Sequence, residues 1–552
     1  MRLFKAILIS LFILSFTIPA EAQMKYERKS ISYINALWLA TPDARKVDQK
    51  KVNVMLESVK EYIEMERFDF NPLPESLLQD FVKAANSRNT LTVQEIAVLM
   101  EQKLAPQILE IVRGAMSERG GELVSEEKRQ TFLATKAKEL GITLEEIEKV
   151  MNSAYIYLPV LTSVKREKAK DSDKIIYTIE GGIIWYHVVV NDDGAHVNLR
   201  VASNTLSKGY GSEDWAWKSA VKNFARNLET ATREIAEFKL SAPISEVDDG
   251  NITFKLGKKE GIKKDQCFLV GEWVSYGSEE PSFSRNGWVR IGNVADNRES
   301  SVAKSSAWAV KRGSWAPGML VVEHPRLGID VSFRPGAYQL KISQGRIPII
   351  GEYLYVTDDY NTMAPGFDLD AQYNIAPLSN VTQLFFLVGG HLALPATLEM
   401  QSSWFGALTS SPPLAWGWHV GFMKKYYLNQ LAFSAEVTGG MRYLEIQQDF
   451  TFGLTDYTYI VKNNTAGVML NIGLEYAATP DFNIGLMAGY RMLPVSNIWT
   501  QEITPDVGGI VSWDDSFPEI DQSGLNFGLY MHWSPPSLPF DPADWLQGAL
   551  GQ

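Results

Sequence analysis

At 552 residues the chain has room for several domains, and a hydrophobic share of 45% is enough for folded cores rather than disorder. A net charge of −12 excludes a nucleic-acid surface and leaves no basic tract for anionic membranes. The single cysteine, Cys267, excludes an intrachain disulfide framework and a Cys-rich metal site.

Arg2 and Lys5 precede an apolar run, Ala6 to Pro19, that is too short to span a bilayer as a helix. Ala20-Glu21-Ala22 follows as a small-x-small cleavage site. Residues 1–22 therefore read as a signal peptide, with Gln23 as the expected mature N-terminus and no cysteine there to carry a lipid. No later stretch offers the roughly 18 consecutive apolar residues of a membrane-spanning helix.

Residues 23–153 read as a helical periplasmic domain. Thr92 to Glu95 and Thr143 to Glu146 fit capping boxes ahead of apolar-periodic runs, and Pro106 should break or kink the first of these helices. Residues 154–243 read as an α+β domain. Tyr155 to Val160 and Lys174 to Val190 are strands, Asp192-Asp193-Gly194 is a hairpin turn, and Ala195 to Ala202 returns. The helix Trp215 to Phe238 buries Ala220, Val221, Phe224, Ala225 and Leu228 on one stripe. A strand hairpin, then Gly209-Tyr210-Gly211, then this helix resembles the periplasmic domain shared by flagellar assembly protein T and the curli secretion channel family. The resemblance implies a scaffolding or assembly role in an envelope machine. Residues 244–325 read as a small β domain, in which Asn251 to Leu256 and Gln266 to Val270 flank the turn Gly257 to Asp265. That arrangement is similar to the C-terminal module of flagellar assembly protein T. The turn lacks the P-loop pattern and no helix opens after it, so it holds no nucleotide. Cys267, between apolar neighbours, reads as a buried inert thiol.

Residues 326–533 carry the strongest pattern. Candidate strands are Gly328 to Tyr338, Gly366 to Ile375, Thr382 to Leu392, Trp416 to Met423, Leu431 to Leu444, Ala466 to Tyr476, Phe482 to Met492 and Gly524 to Trp533. In the last of these Leu525, Phe527, Leu529, Met531 and Trp533 alternate with Asn526, Gly528, Tyr530 and His532, the period of a strand with one apolar face. Connections alternate between short (377–380, 424–429, 479–481) and long (341–365, 395–415, 447–465, 493–523). Transmembrane barrels have this asymmetry. The expected fold is thus a set of α+β periplasmic modules followed by an antiparallel transmembrane β-barrel of about eight strands, with residues 534–552 as a periplasmic tail. A rival register adds Ala396 to Leu408 and drops Gly328 to Tyr338. Asn526, Gly528, Met531 and Trp533 resemble the C-terminal signal by which outer-membrane barrels are recognised for assembly.

Asp330, Arg334, Asp368, Asp370, Glu436, Glu475 and Arg491 should point into the lumen. An eight-stranded barrel is only wide enough for its side chains, so these charges should pair as a plug. His391, His419 and His532 fall on different strands, and His187 and His196 are not a cross-strand metal pair. The expectation is an outer-membrane protein that is not an enzyme and holds no cofactor or metal. Its partners should be outer-membrane lipid, the barrel assembly machinery and an unidentified periplasmic protein. The rival function is a transport or secretion channel subunit.

Overall fold

The computed structural model describes residues 29–34, 37–64, 68–108, 110, 126–141, 143, 155–170, 172–191, 194–235, 238–274, 282–298, 302–349, 352–402, 406–452, 454–504 and 517–551. The expected signal peptide, Gln23, the turn residues 192–193 and most of the second capping box lie outside them. The chain forms two compact units: Met1–Val164 with Ile179–Leu206 and Phe224–Pro325, and Lys165–Thr178 with Ser207–Asn223 and Arg326–Gln552.

The first unit opens with β1 (Lys29–Tyr33), β2 (Trp38–Leu39), α1 (Gln49–Ile63), β3 (Phe68–Pro72), α2 (Glu75–Asn86), α3 (Val93–Lys103) and α4 (Glu126–Leu140). The capping box at α3 forms as expected: Thr92 Oγ1 accepts from Glu95 N at 3.2 Å, and Glu95 Oε2 accepts from Thr92 N at 2.7 Å. The helix ends at Lys103, just ahead of Pro106. Three long strands and a helix follow: β4 (Tyr155–Lys168), β5 (Ile175–Asn191), β6 (Gly194–Gly211) and α5 (Glu213–Glu234). The sheet order is β3-β1-β4-β5-β6, with β2 also on β4. β1 pairs in parallel with both β3 and β4, so the sheet draws strands from both sides of the expected boundary at residue 153. Those early strands escape a periodicity scan because each has five residues or fewer. Phe81 of α2 packs 5.4 Å from Trp38 in a core that also takes Leu99, Leu158 and Ile184.

β7 (Ser241–Asp248), β8 (Asn251–Phe254), β9 (Cys267–Val274), β10 (Ser282–Asn293), β11 (Ser305–Lys311) and β12 (Leu320–Glu323) close into a small barrel in the order β10-β11-β8-β7-β12-β9. Phe254, Phe268, Val289 and Val321 fill it, and Cys267 is buried. Glu323 is fully buried and sits 2.6 Å from Arg233 of α5, while its other oxygen accepts from Leu240 N at 3.1 Å. Burial lowers the affinity of Arg233 for its proton, but the carboxylates of Glu323 and Glu229 more than reverse this and hold it above its ordinary range.

In the second unit the order of elements is β13 (Ile329–Ile342), β14 (Gly345–Ile349), β15 (Glu352–Val356), β16 (Tyr360–Asn374), β17 (Leu384–Ala393), β18 (Glu399–Ser402), β19 (Gly406–Thr409), β20 (Leu414–Leu428), β21 (Leu431–Phe452), β22 (Thr455–Ala477), β23 (Phe482–Met492), β24 (Trp499–Thr504), β25 (Ile520–Asp521), β26 (Gly524–Trp533) and α6 (Pro542–Leu550). β13, β16, β17, β20, β21, β22, β23 and β26 each pair antiparallel with the next, and β13 pairs with both β16 and β26, so these strands form a ring. Short β24 and β25 attach to β22 and β13. The rival register is excluded, since β13 is a ring strand and β18 and β19 belong to a separate sheet, β14-β15-β18-β19. At the end where the chain enters and leaves the ring, Arg326 Nε lies 2.8 Å from Asp481 Oδ1, and Ser534 N donates to the Asp481 carbonyl at 2.8 Å.

The expected long loops carry strands of their own, and one of them is a continuation of the ring strands. β21 and β22 stay paired from Leu431↔Tyr476 to Phe452↔Thr455, through the stretch 447–465. β20 likewise runs into the expected turn 424–429 as far as Leu428, and the hairpin turns at Asn429, whose φ is 54°.

Candidate functional site

Side chains alternate around the ring as the period of two requires. Outward positions carry Phe333, Leu369, Phe422, Phe433, Val437, Leu470, Leu474, Leu525 and Phe527, all exposed, and Ile472 and Leu486 are 70% and 63% exposed. This is far more contiguous apolar surface than a water-facing domain tolerates. Tyr426, Tyr476 and Trp533 lie on the outer wall near the entry end; Tyr490 and the stacked pair Trp416–Tyr443, with centroids 4.1 Å apart, lie toward the far end. Among the described residues no helix is long and apolar enough to cross a membrane.

The inward positions hold ions. All seven expected lumen charges are buried: Asp330, Arg334, Asp368, Asp370, Glu436, Glu475 and Arg491. Arg334 is the hub. Its Nη2 lies 2.7 Å from Asp370 Oδ2, and its Nη1 lies 3.0 Å from Glu436 Oε2 and donates to Met487 Sδ at 3.1 Å. Asn471 Nδ2 donates to Glu436 at 2.8 Å, and Asn526 Nδ2 donates to Asn471 Oδ1 at 3.0 Å. Ser332 Oγ donates to Asp370 at 2.9 Å, and His419 Nε2 lies 2.7 Å from the other oxygen of that carboxylate. Asp368 takes the Tyr338 hydroxyl at 3.0 Å and His391 Nδ1 at 2.8 Å. Nearer the entry end, Glu475 sits 2.9 Å from Lys425 Nζ, which also donates to the Tyr530 hydroxyl at 3.2 Å. Asp330 lies 2.9 Å from His532. Arg491 donates instead to the Gln339 carbonyl.

The sequence reading missed Lys425, Arg442 and the three histidines as lumen groups. Arg442 shares parity with Glu436 on β21, so alternation alone places it inside. His391 and His419 follow from parity on their strands in the same way. Lys425 was hidden because Lys424-Lys425 looks like a turn. Of the expected assembly-signal residues, Asn526 and Gly528 are inward positions, while Met531 and Trp533 share the outward parity of Leu525 and Phe527. A groove of about 950 Å³ lies on the outer wall, lined by Pro335, Ala337, Phe433, Ile472, Leu486 and Phe527.

Toward the far end the interior turns apolar. Leu340, Ile342, Leu444, Ile446, Tyr459 and Val461 from ring strands meet Ile347, Leu354, Val356, Leu398 and Met400 from the separate sheet, with Trp499, Phe517 and Ile520. The ion network thus ends in an apolar core. Chemically, each carboxylate in the network is matched by a cation, imidazole, amide or hydroxyl, the condition for burying charge.

No family model and no curated protein matches the chain. Among solved structures it is similar to Neisserial surface protein A, at 9% identity and a TM-score of 0.23, over 38% of this chain and 97% of that one. It is also similar to the outer membrane protease OmpT from Escherichia coli, at 9% identity and a TM-score of 0.22, over 38% and 96%. A Pseudomonas aeruginosa FadL homologue matches at 8% identity and a TM-score of 0.12, over 69% and 77%. These likenesses are too slight to argue activity. They do correct one expectation: a protease stands among the barrels that this chain resembles, so the statement that the chain is not an enzyme is withdrawn.

Proposed function

We propose that the ring is a transmembrane barrel of eight strands in an outer membrane, with its interior filled rather than open, and that residues 23–325 work in the periplasm as a scaffold or assembly factor for an envelope machine. One observation carries the anchoring part: an apolar outer wall around an ion-paired interior, the inverse of a water-soluble fold. On β21 the apolar outward positions run from Leu431 to Tyr443. That span is roughly 40 Å of strand, which a tilt of about 45° reduces to roughly 28 Å across the hydrocarbon. Aromatic residues at both margins match the girdles of such barrels. On this reading Asn526, Gly528, Met531 and Trp533 serve as the signal for the assembly machinery. The interior packing weighs against the channel reading, because Arg334 with its acids and the apolar core beyond occupy the lumen.

The scaffold part rests on the resemblance of residues 154–325 to flagellar assembly protein T and the curli family. The test has two arms. A chain ending at Pro325 should leave the membrane fraction and appear in the periplasmic extract; retention in membranes would remove the ring as anchor. Crosslinking in intact cells should attach a discrete envelope protein to residues 23–243, and its absence would remove the scaffold role while leaving the anchor.

A further inference from the structure

The chain continues past the last ring strand, and its tail is specifically seated. The Leu538 carbonyl accepts from Asn223 Nδ2 at 3.2 Å, and the Pro539 carbonyl accepts from Lys208 N at 2.5 Å. Asp541 caps α6, accepting from Ala543 N at 3.0 Å, and also takes the Tyr373 hydroxyl. One turn on, the Asp544 carboxylate lies 3.1 Å from Lys222 Nζ and accepts from Ser219 Oγ at 3.3 Å, while its carbonyl accepts from Trp215 Nε1 at 2.9 Å. Trp545 stacks on Tyr210 with centroids 4.7 Å apart. At Gly548 a Cβ would fall 1.8 Å from the Tyr210 carbonyl, so only glycine fits. Asp541, Asp544, Trp545 and Gly548 recur at helical spacing, so they share one face.

We infer that residues 208–223 are a recognition site for a short helix of the form Asp-x-x-Asp-Trp-x-x-Gly, and that its occupant is the chain's own tail. The surface reads four independent features: a carboxylate by Lys222 and Ser219, a backbone carbonyl by Trp215, an aromatic ring by Tyr210, and a residue without a side chain. A loosely lying tail requires none of them. Four residues lie between Trp533 and Leu538, five chain steps with a reach of at most about 18 Å. With β26 seated between β23 and β13, that short tether holds the tail beside its site, and in the inferred order docking follows closure of the ring. The clasp is a separable lock rather than part of the ring's own stability.

The experiment uses the full-length chain. In the variant Asp544→Lys with Gly548→Leu the tail is present but evicted. A labelled peptide of residues 536–552 should bind this variant saturably and bind the wild-type chain at least about tenfold more weakly, since there the site is filled. Absence of binding to the evicted variant, or equal binding to both chains, would overturn the inference. Failure of the ring to fold in that variant, read as loss of heat-modifiable migration on a gel, would overturn it too, because docking then precedes closure. A charge exchange tests the pairing. Lys222→Glu and Asp544→Lys should each speed proteolytic removal of the tail roughly tenfold, and the two together should slow it below either alone. Wild-type cleavage rates in both single variants would contradict the assigned contact.

Discussion

β21 and β22 obey opposite rules at their two ends. Near the entry, Phe433, Val437, Leu470 and Leu474 face out while Glu436, Asn471 and Glu475 face in. Farther on, Glu445, Gln447 and Asp449 face out while Leu444, Ile446, Tyr459 and Val461 pack inside. The register never breaks between the two halves. On the proposed transmembrane reading, only the solvent outside changes. In hydrocarbon the wall must be apolar, and the space within is too narrow for water to be the default filling, so charges there pair with each other. In water the same strands build an ordinary sheet core. On that reading the inversion near Tyr443 marks the outer margin of the belt on the strand itself.

Five substitutions break or sharpen this comparison. The largest effect is expected for Arg334→Met, which strands Asp370 and Glu436 without their cation; a buried pair broken on one side costs about 3–5 kcal/mol. Urea titration of the detergent-folded ring should show the loss, and an unchanged midpoint would mean that the hub is not the organising contact. Next, Leu529→Arg puts a charge on the outer wall, at about 2–4 kcal/mol near the bilayer midplane, whereas Gln447→Arg on the polar half should stay within about 0.5 kcal/mol. The heat-modifiable fraction recovered from membranes compares the two, and equal recovery would dissolve the distinction between the halves. In the apolar core Ile446→Val should cost about 0.5–1.5 kcal/mol, as a soluble core does. Of similar size is Asn526→Ser, which gives up one amide bond to Asn471, worth about 1 kcal/mol; a double-mutant cycle with Asn471→Ala isolates that bond.

The same inversion explains what could be read from the residues alone. Phe482–Met492 and Gly524–Trp533 match their expected bounds at both ends, because they hold one polarity throughout. Residues 447–465 read as a loop because a scan for apolar-outward alternation loses its signal where the pattern reverses. Lys425 was lost to the same habit, since two adjacent lysines look like a turn until the register shows one of them facing Glu475. The charges of the lumen were legible by parity. Which acid meets which base was not, because that depends on the stagger between strands, and the pairing of Arg334 with Glu436 crosses 102 residues of chain. The early strands β1 to β3 were invisible for another reason: β1 and β2 pair with β4 far along the chain, β3 pairs with β1, and pairing rather than composition makes them strands.

The central claim is that one continuous strand passes from hydrocarbon into water near Tyr443. Nitroxide labels on single cysteines introduced at Ala435, Gly439, Tyr443 and Gln447, in a Cys267→Ala background in liposomes, test it directly through accessibility to oxygen against a water-soluble nickel chelate. Ala435 and Gly439 should report oxygen-rich lipid, Gln447 should report water, and Tyr443 should fall at the crossover. Uniform access of the chelate to all four positions would contradict the account and return the ring to a water-soluble fold.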